Sequence, residues 1–158
     1  MDLGLTGKIA VVTGVSATKG IGAGIARALA REGVDVACVD IDITGAENIA
    51  KEITEKGRRS LALKVDQGDP NAILEGVANI SDGLGPIDIL INNAAVFRDA
   101  ARLDKIEIST WDREVKVNLS GAYYWTRAVF PGMRQRGWGR IISVSSTVAF
   151  MGSPGQIS

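Results

Sequence analysis

The 158-residue sequence contains no histidine and only one cysteine. The first absence excludes a Ser-His-Asp triad, an imidazole general base and most zinc chemistry from these residues. The second excludes an internal disulfide and points to a reducing compartment. That cysteine, Cys38, lies in the apolar run "VDVACVD" and reads as a small buried hydrophobe rather than a reactive thiol. Net charge is also lacking. The 18 basic residues balance 18 acidic ones, so no excess field favours nucleic acid or an anionic membrane. The basic cluster Lys56-Gly57-Arg58-Arg59 reads as a solvated helix end. No apolar stretch approaches the ~20 residues of a membrane span, and no basic start leads into an apolar signal core. The expectation is a soluble, cytoplasmic protein with no metal site and no nucleic-acid or membrane partner.

What is present is a core. Apolar residues make up 46% of the chain, and the length suits one domain across residues 1–158. There is no internal repeat, low-complexity segment or linker. Five apolar runs, "KIAVVT" (8–13), "VDVACVD" (34–40), "SLALKVD" (60–66), "IDILINN" (87–93) and "RIISVSS" (140–146), are continuous rather than alternating in hydrophobicity. That pattern marks strands covered on both faces. Helical patterns separate them. Thr44 with Glu47 forms a capping box ahead of the stripe Ile49, Ala50 and Ile53, and Gly57 stops that helix. Asp69-Pro70 opens another, whose expected buried face is Ile73, Leu74, Val77 and Ile80. A longer pattern from Ser109 to Met133 carries Val115, Leu119, Ala122 and Tyr123 at helical spacing, with Pro131 near its end. Strands alternating with crossover helices imply an α/β fold with a doubly wound parallel sheet.

Between the first run and the first helix lies "TGVSATKGIG" (13–22). Glycines in a strand-turn-helix let backbone approach a ligand, and a helix N-terminus offers free N–H groups to a pyrophosphate. Asp40 ends the second run, at about the ~20-residue spacing of a ribose-binding carboxylate. A carboxylate there accepts from both ribose hydroxyls and repels a 2′-phosphate. No arginine follows it; Ile41 and Asp42 do. NAD is therefore expected over NADP, with Lys19 the one nearby basic residue arguing the other way.

These segments together resemble the N-terminal part of a short-chain dehydrogenase/reductase: Thr13-Gly14 with Gly20-Ile21-Gly22, Asp66-Gln67, Asn92-Asn93-Ala94-Ala95, Asn118 within "VNLSGAYY", and "GRIISVSS" ending in Ser146. The motifs span most of the chain in the family's order. The resemblance implies a Rossmann-like sheet and hydride transfer between a nicotinamide and a secondary alcohol or ketone, as in a 3-oxoacyl reductase. It places Gly14, Ser16, Lys19, Gly20, Ile21 and Gly22 at the pyrophosphate loop, and Asp40 and Ile41 at the ribose. It also places Asp66 and Gln67 beside the adenine, and Asn93, Ala94 and Ala95 along the nicotinamide-side ribose. Asn118 and Ser146 match the family's water-ordering asparagine and substrate-polarising serine.

Two features depart from the pattern. Five residues, Val15 to Lys19, separate the first two glycines where the family usually has three, so the loop is expected to bulge. Ala95 stands where the family has glycine. The family's proton carrier is a Tyr-x-x-x-Lys pair, whose tyrosine by spacing is the residue after Ser158. The fold is accordingly expected to be incomplete at its C-terminal side, without the helix bearing that pair and without the last strands. Tyr123 and Tyr124 are followed four residues on by Arg127 and Ala128 and do not fit the motif. A non-catalytic dinucleotide-binding module is the alternative, and a flavodoxin-like module would leave the glycine loop, Asp40 and Asn118 without a common purpose. The loop "AVFRDAARLDKIEIS" (95–109) suggests a partly apolar substrate rim. A homodimer or homotetramer is expected by resemblance, with Trp111, Tyr124 and Trp125 on the long helix as interface or core.

Overall fold

The computed structural model describes residues 3–97 and 101–152, so parts of the expected rim and tail, 98–100 and 153–158, lie outside the described residues. Five strands form one parallel sheet in the order β3-β2-β1-β4-β5. They are β1 (Ile9–Thr13), β2 (Asp35–Asp40), β3 (Ser60–Lys64), β4 (Ile89–Asn92) and β5 (Arg140–Ser143). The helices are α1 (Ile21–Arg31), α2 (Ile43–Glu55), α3 (Pro70–Gly83), α4 (Ile108–Glu114), α5 (Gly121–Arg136) and the short α6 (Val148–Met151). Because side chains alternate along a strand, Ala10 and Val12 pack with Ala23, Ala26, Ile49 and Ile53 of α1 and α2. Ile9 and Val11 pack on the other face with Ile73, Ile80, Trp125 and Val129 of α3 and α5. The doubly wound α/β expectation holds. Among the described residues, no helix is long and apolar enough to cross a membrane, and no group of three or more metal-ligating side chains converges.

Several local expectations are corrected. The strands β3, β4 and β5 are shorter than the apolar runs that announced them, and Asp66 and Gln67 after β3, like Ser145 and Ser146 after β5, line the site. The two edge strands are only partly covered, and Ile142 of β5 is 51% exposed. Asp42, not Thr44, caps α2, its carboxylate accepting from the Gly45 N–H, so the Thr44/Glu47 capping box is absent. Asp69 does cap α3 ahead of Pro70, but Leu74 is exposed. Arg58 and Arg59 are not simply solvated: both pair with Asp35, which is 4% exposed at the start of β2. The burial of that carboxylate demands partners.

The long helical pattern is interrupted. Residues Val115–Ser120 form a π-helical turn between α4 and α5. One extra residue in the turn rotates the rest of the helix, so the buried stripe is Val117, Gly121, Trp125, Val129 and Met133. Of the residues at helical spacing, Leu119 and Tyr123 are exposed. Trp125 belongs to the core, Tyr124 is half-buried against it, and Trp111 is partly exposed.

Candidate active site

The strand order reverses beside β1: the chain passes from β1 outward to β2 and β3, then returns to β4 on the other side. Crevices at such a switch point, beyond the carboxyl ends of the strands, are where doubly wound sheets hold ligands. Thr13 and Asn93 lock the two strand ends together there. The Thr13 hydroxyl donates to the Ile91 carbonyl and accepts from the Asn93 and Ala94 N–H groups, both at 3.0 Å. The Asn93 side-chain amide donates back to the Thr13 and Gly14 carbonyls at 2.8 and 2.9 Å. Nothing larger than glycine fits the turn leaving β1. Gly14 has φ +73°, and a Cβ on it would lie 2.6 Å from the Ala94 Cα. A Cβ on Gly22 would lie 2.2 Å from the Gly14 carbonyl oxygen.

The loop from Val15 to Lys19 is fastened at three points. Asp40 accepts from the Ser16 N–H at 2.8 Å and from the Asp42 N–H at 3.0 Å, one bond on each carboxylate oxygen. Arg27 donates to the Thr18 carbonyl at 2.7 Å while pairing with Glu52. Gly45 leaves the space that Ser16 occupies, since its Cβ would fall 2.4 Å from the Ser16 Cβ. Gly20 then serves as N-cap of α1 with no side chain covering the helix end. Its first-turn N–H groups have no intrahelical acceptors, and they face the turn with the positive end of the helix dipole.

A cavity of about 560 Å³ opens over this turn, lined by Gly14, Ser16, Ile21, Asp40, Ile41, Asp66, Gln67 and Asn93 to Ala95 among others. A second, about 580 Å³, shares Ile21, Asn93, Ala94 and Ala95 and continues to Asn118 and Ser146. One trough thus gathers twelve of the fifteen expected site residues. Gly20 and Gly22 shape the turn without lining it, and Lys19 is exposed outside both walls. A glycine cradle that a Cβ would fill, an uncapped helix start and a strand-end carboxylate with an open acceptor position on each oxygen fit a dinucleotide.

Asp66 is held by a residue that sequence reasoning passed over. Arg113 of α4 bonds it bidentately at 3.0 and 3.1 Å, and the Gly68 N–H adds a third bond at 2.9 Å. Burial alone pushes the Asp66 carboxyl up, but Arg113, the Gly68 N–H and Lys116 together hold it below the ordinary carboxylate range. Gln67 is nearly buried, and its amide donates to the Ala94 and Val117 carbonyls, both at 2.8 Å. Asn118 spends both ends of its amide on one residue, accepting from the Val96 N–H and donating to the Val96 carbonyl at 2.8 Å each. Ser146 is exposed, and its hydroxyl accepts from the Val148 N–H at 3.3 Å. Cys38 takes no part: burial pushes its thiol up to about 11, which leaves it protonated and inert.

A parallel sheet of this order with its glycine turn at the switch point defines a Rossmann-like protein. The chain belongs to the short-chain dehydrogenase family, whose description, "short chain dehydrogenase", matches residues 8–158. It is 40% identical over 153 residues to oxidoreductase UcpA of Salmonella typhimurium, covering 96% of this chain and 57% of that one. It is 35% identical to the 3-oxoacyl-[acyl-carrier-protein] reductase FabG of Aquifex aeolicus, covering 100% of this chain and 63% of that one. Among solved structures, NAD+-bound xylitol dehydrogenase superposes with a TM-score of 0.90 at 28% identity, covering 96% of this chain and 57% of that one. A short-chain dehydrogenase of Burkholderia cenocepacia in complex with NADP superposes at 0.84 with 34% identity, covering 96% and 60%. The chain therefore spans about three-fifths of the length of these relatives.

Proposed function

We propose that the protein is an NAD(H)-dependent oxidoreductase that interconverts a secondary alcohol and a ketone, and that residues 1–158 form its dinucleotide-binding domain. The single observation that carries this reading is the continuous trough from the glycine cradle and Asp40 to Asn118 and Ser146. A nicotinamide bound there supplies or accepts the hydride. The chain's own residues bind and orient the reactants. The N–H groups opening α1 hold the pyrophosphate, Asp40 accepts from the ribose hydroxyls, and Asp66 accepts from the adenine amine. Ser146 donates a hydrogen bond to the substrate oxygen and polarises it, and the asparagine segment at 118 orders a water along which a proton can be relayed. The relatives' names, a 3-oxoacyl reductase among them, support a small-molecule carbonyl substrate. A cytoplasmic location accords with the single buried thiol. A homo-oligomer is supported by Leu119, Tyr123 and Phe130, exposed at 69%, 59% and 52% along α5 and the turn before it. Light scattering is expected to give at least twice the chain mass, and a monomer at micromolar concentration would remove that proposal.

Coenzyme choice tests the site. Asp40→Ala is expected to weaken NAD binding about 10–100-fold, the loss of hydrogen bonds to a charged acceptor, and to raise the NADP-to-NAD affinity ratio at least tenfold. Because Asp40 also holds the Ser16 N–H, loss of loop order affects both coenzymes alike, and the ratio isolates the ribose contribution. Titration of the tryptophan fluorescence reads the affinities, since Trp125 lies in the cavity wall. An unchanged ratio removes Asp40 from the ribose site. A second reading is a dinucleotide-binding module without turnover. It is favoured by the proximal cavity, which by itself brings together the glycine cradle, Asp40 and Asp66 that would hold a dinucleotide. Coenzyme binding with no reduction of any ketone in a broad panel would select it.

A further inference from the structure

The π-helical turn at Val115–Ser120 has an unusual hydrogen-bond arrangement. The Gly121 N–H donates to the Lys116 carbonyl, five residues back, rather than to Val117, four back. The Val117 carbonyl is compensated from outside the helix, by the side-chain amide of Gln67. The same NH2 group donates its other proton to the Ala94 carbonyl in the loop after β4. Two carbonyl acceptors at 2.8 Å fix which end of the amide is the nitrogen.

The neighbouring residues complete a lattice. Val117 is followed by Asn118, whose amide clamps both backbone groups of Val96, two residues beyond Ala94. Gln67 and Asn118 thus both lace the same two segments, 94–96 and 117–118. Room for Gln67 is made by Gly121, whose Cβ would lie 2.8 Å from both the Gln67 Cγ and its backbone carbonyl oxygen. The Gln67 side-chain oxygen Oε1 is buried with no hydrogen-bond partner among the described residues. Leaving it so costs free energy that an apolar side chain of the same length would avoid, so the amide is explained by its two donors.

We infer that Gln67 is a positioning residue for Asn118: its amide holds the π-turn open by replacing the lost α-helical bond, and so fixes Asn118 against Val96. This rests on the reading of Asn118 as a site residue of the dehydrogenase, and it replaces the expected contact of the Gln67 side chain with adenine by a role at the other end of the trough. Without the amide donors, the Val117 carbonyl regains its partner by taking the Gly121 N–H, the π-turn winds into α-helix, and Asn118 rotates off Val96.

The test is amide hydrogen exchange, followed residue by residue in the intact protein. Gln67→Met keeps the volume and removes both donors. It is expected to speed exchange at the Val96 N–H at least tenfold while Val11 and Val36 in the central strands keep their rates. Gln67→Glu supplies the control that packing alone does not move. Its carboxyl, buried between two carbonyl oxygens, has a raised pKa and donates only when protonated. Val96 protection, corrected for intrinsic exchange, is therefore expected at low pH and lost as pH rises through that pKa. Equal Val96 protection in the wild type and Gln67→Met overturns the inference, as does pH-independent protection in Gln67→Glu. Coenzyme titration of the wild-type protein separates this from the dehydrogenase reading: absence of NAD and NADP binding defeats that reading, whereas Val96 exchange decides the role of Gln67.

Discussion

Gly22→Ala is expected to lower coenzyme affinity at least tenfold and the melting temperature by about 2–12 °C, while Gly24→Ala, two residues along the same helix, raises stability. The difference lies in what each new methyl meets. At Gly22 it would sit 2.2 Å from the Gly14 carbonyl oxygen and 2.6 Å from the Asn93 side-chain nitrogen, so α1 must move away from the end of β1. The atoms in the way are backbone and the strand-locking amide, neither of which yields as a flexible side-chain end does. Overpacking of this kind costs about 1–3 kcal/mol, and each kcal/mol is worth about 2–4 °C in a domain of this size. The displaced helix also carries the N–H groups proposed to hold the pyrophosphate, so binding falls with stability. At Gly24 nothing lies within 4 Å, and an exposed helical glycine replaced by alanine gains up to about 1 kcal/mol from propensity alone. Thermal unfolding with and without NAD checks both variants. Equal behaviour of the two would mean that close approach of helix and strand does not set the turn.

The parts of this design that were legible in the sequence are those written in consecutive residues. Apolar runs announced every strand, and the glycine turn placed the cradle, because strand burial and glycine backbone freedom each follow from local sequence. What was hidden depends on pairs far apart in the chain. Arg113 meets Asp66 across 47 positions, and no local pattern marks it as the partner. Gly45 lies inside a helix, and no local pattern shows that it makes room for Ser16 of the loop after β1. The π-turn is unreadable for a related reason: its stabilising donor is Gln67, 50 positions away from Val117, and Gly121 at its end leaves room for that side chain, which no local pattern reveals. The regular spacing of Leu119 and Tyr123 therefore does not mark the buried stripe. The Asp42 cap was missed for a smaller reason, since Thr44 with Glu47 offered a competing local signature two residues later.

Replacement of Ser146 by alanine is expected to reduce kcat by about 10²–10³-fold, the range seen when one donor to a developing oxyanion is removed, with coenzyme affinity unchanged within twofold. The two effects separate because the trough separates them. Ser146 lines only the distal cavity with Asn118, whereas Asp40, Asp66 and the glycine turn line the proximal one or shape it. Its hydroxyl accepts a long 3.3 Å bond from the Val148 N–H, which leaves the proton free to donate toward a substrate oxygen. No backbone segment depends on it in the way that 94–96 depends on Gln67 and Asn118, so the variant should fold with an unaltered melting temperature. Ser145 is the internal control. It lines the same cavity one residue earlier, and Ser145→Ala is expected to change kcat less than threefold. Steady-state kinetics on a reducible ketone, with coenzyme binding measured in parallel, distinguishes the outcomes. A large loss at both serines would assign the effect to the loop rather than to one hydroxyl. Full activity in Ser146→Ala would move the oxyanion donor elsewhere on the trough, with Ser143, which also lines it, the next residue to replace.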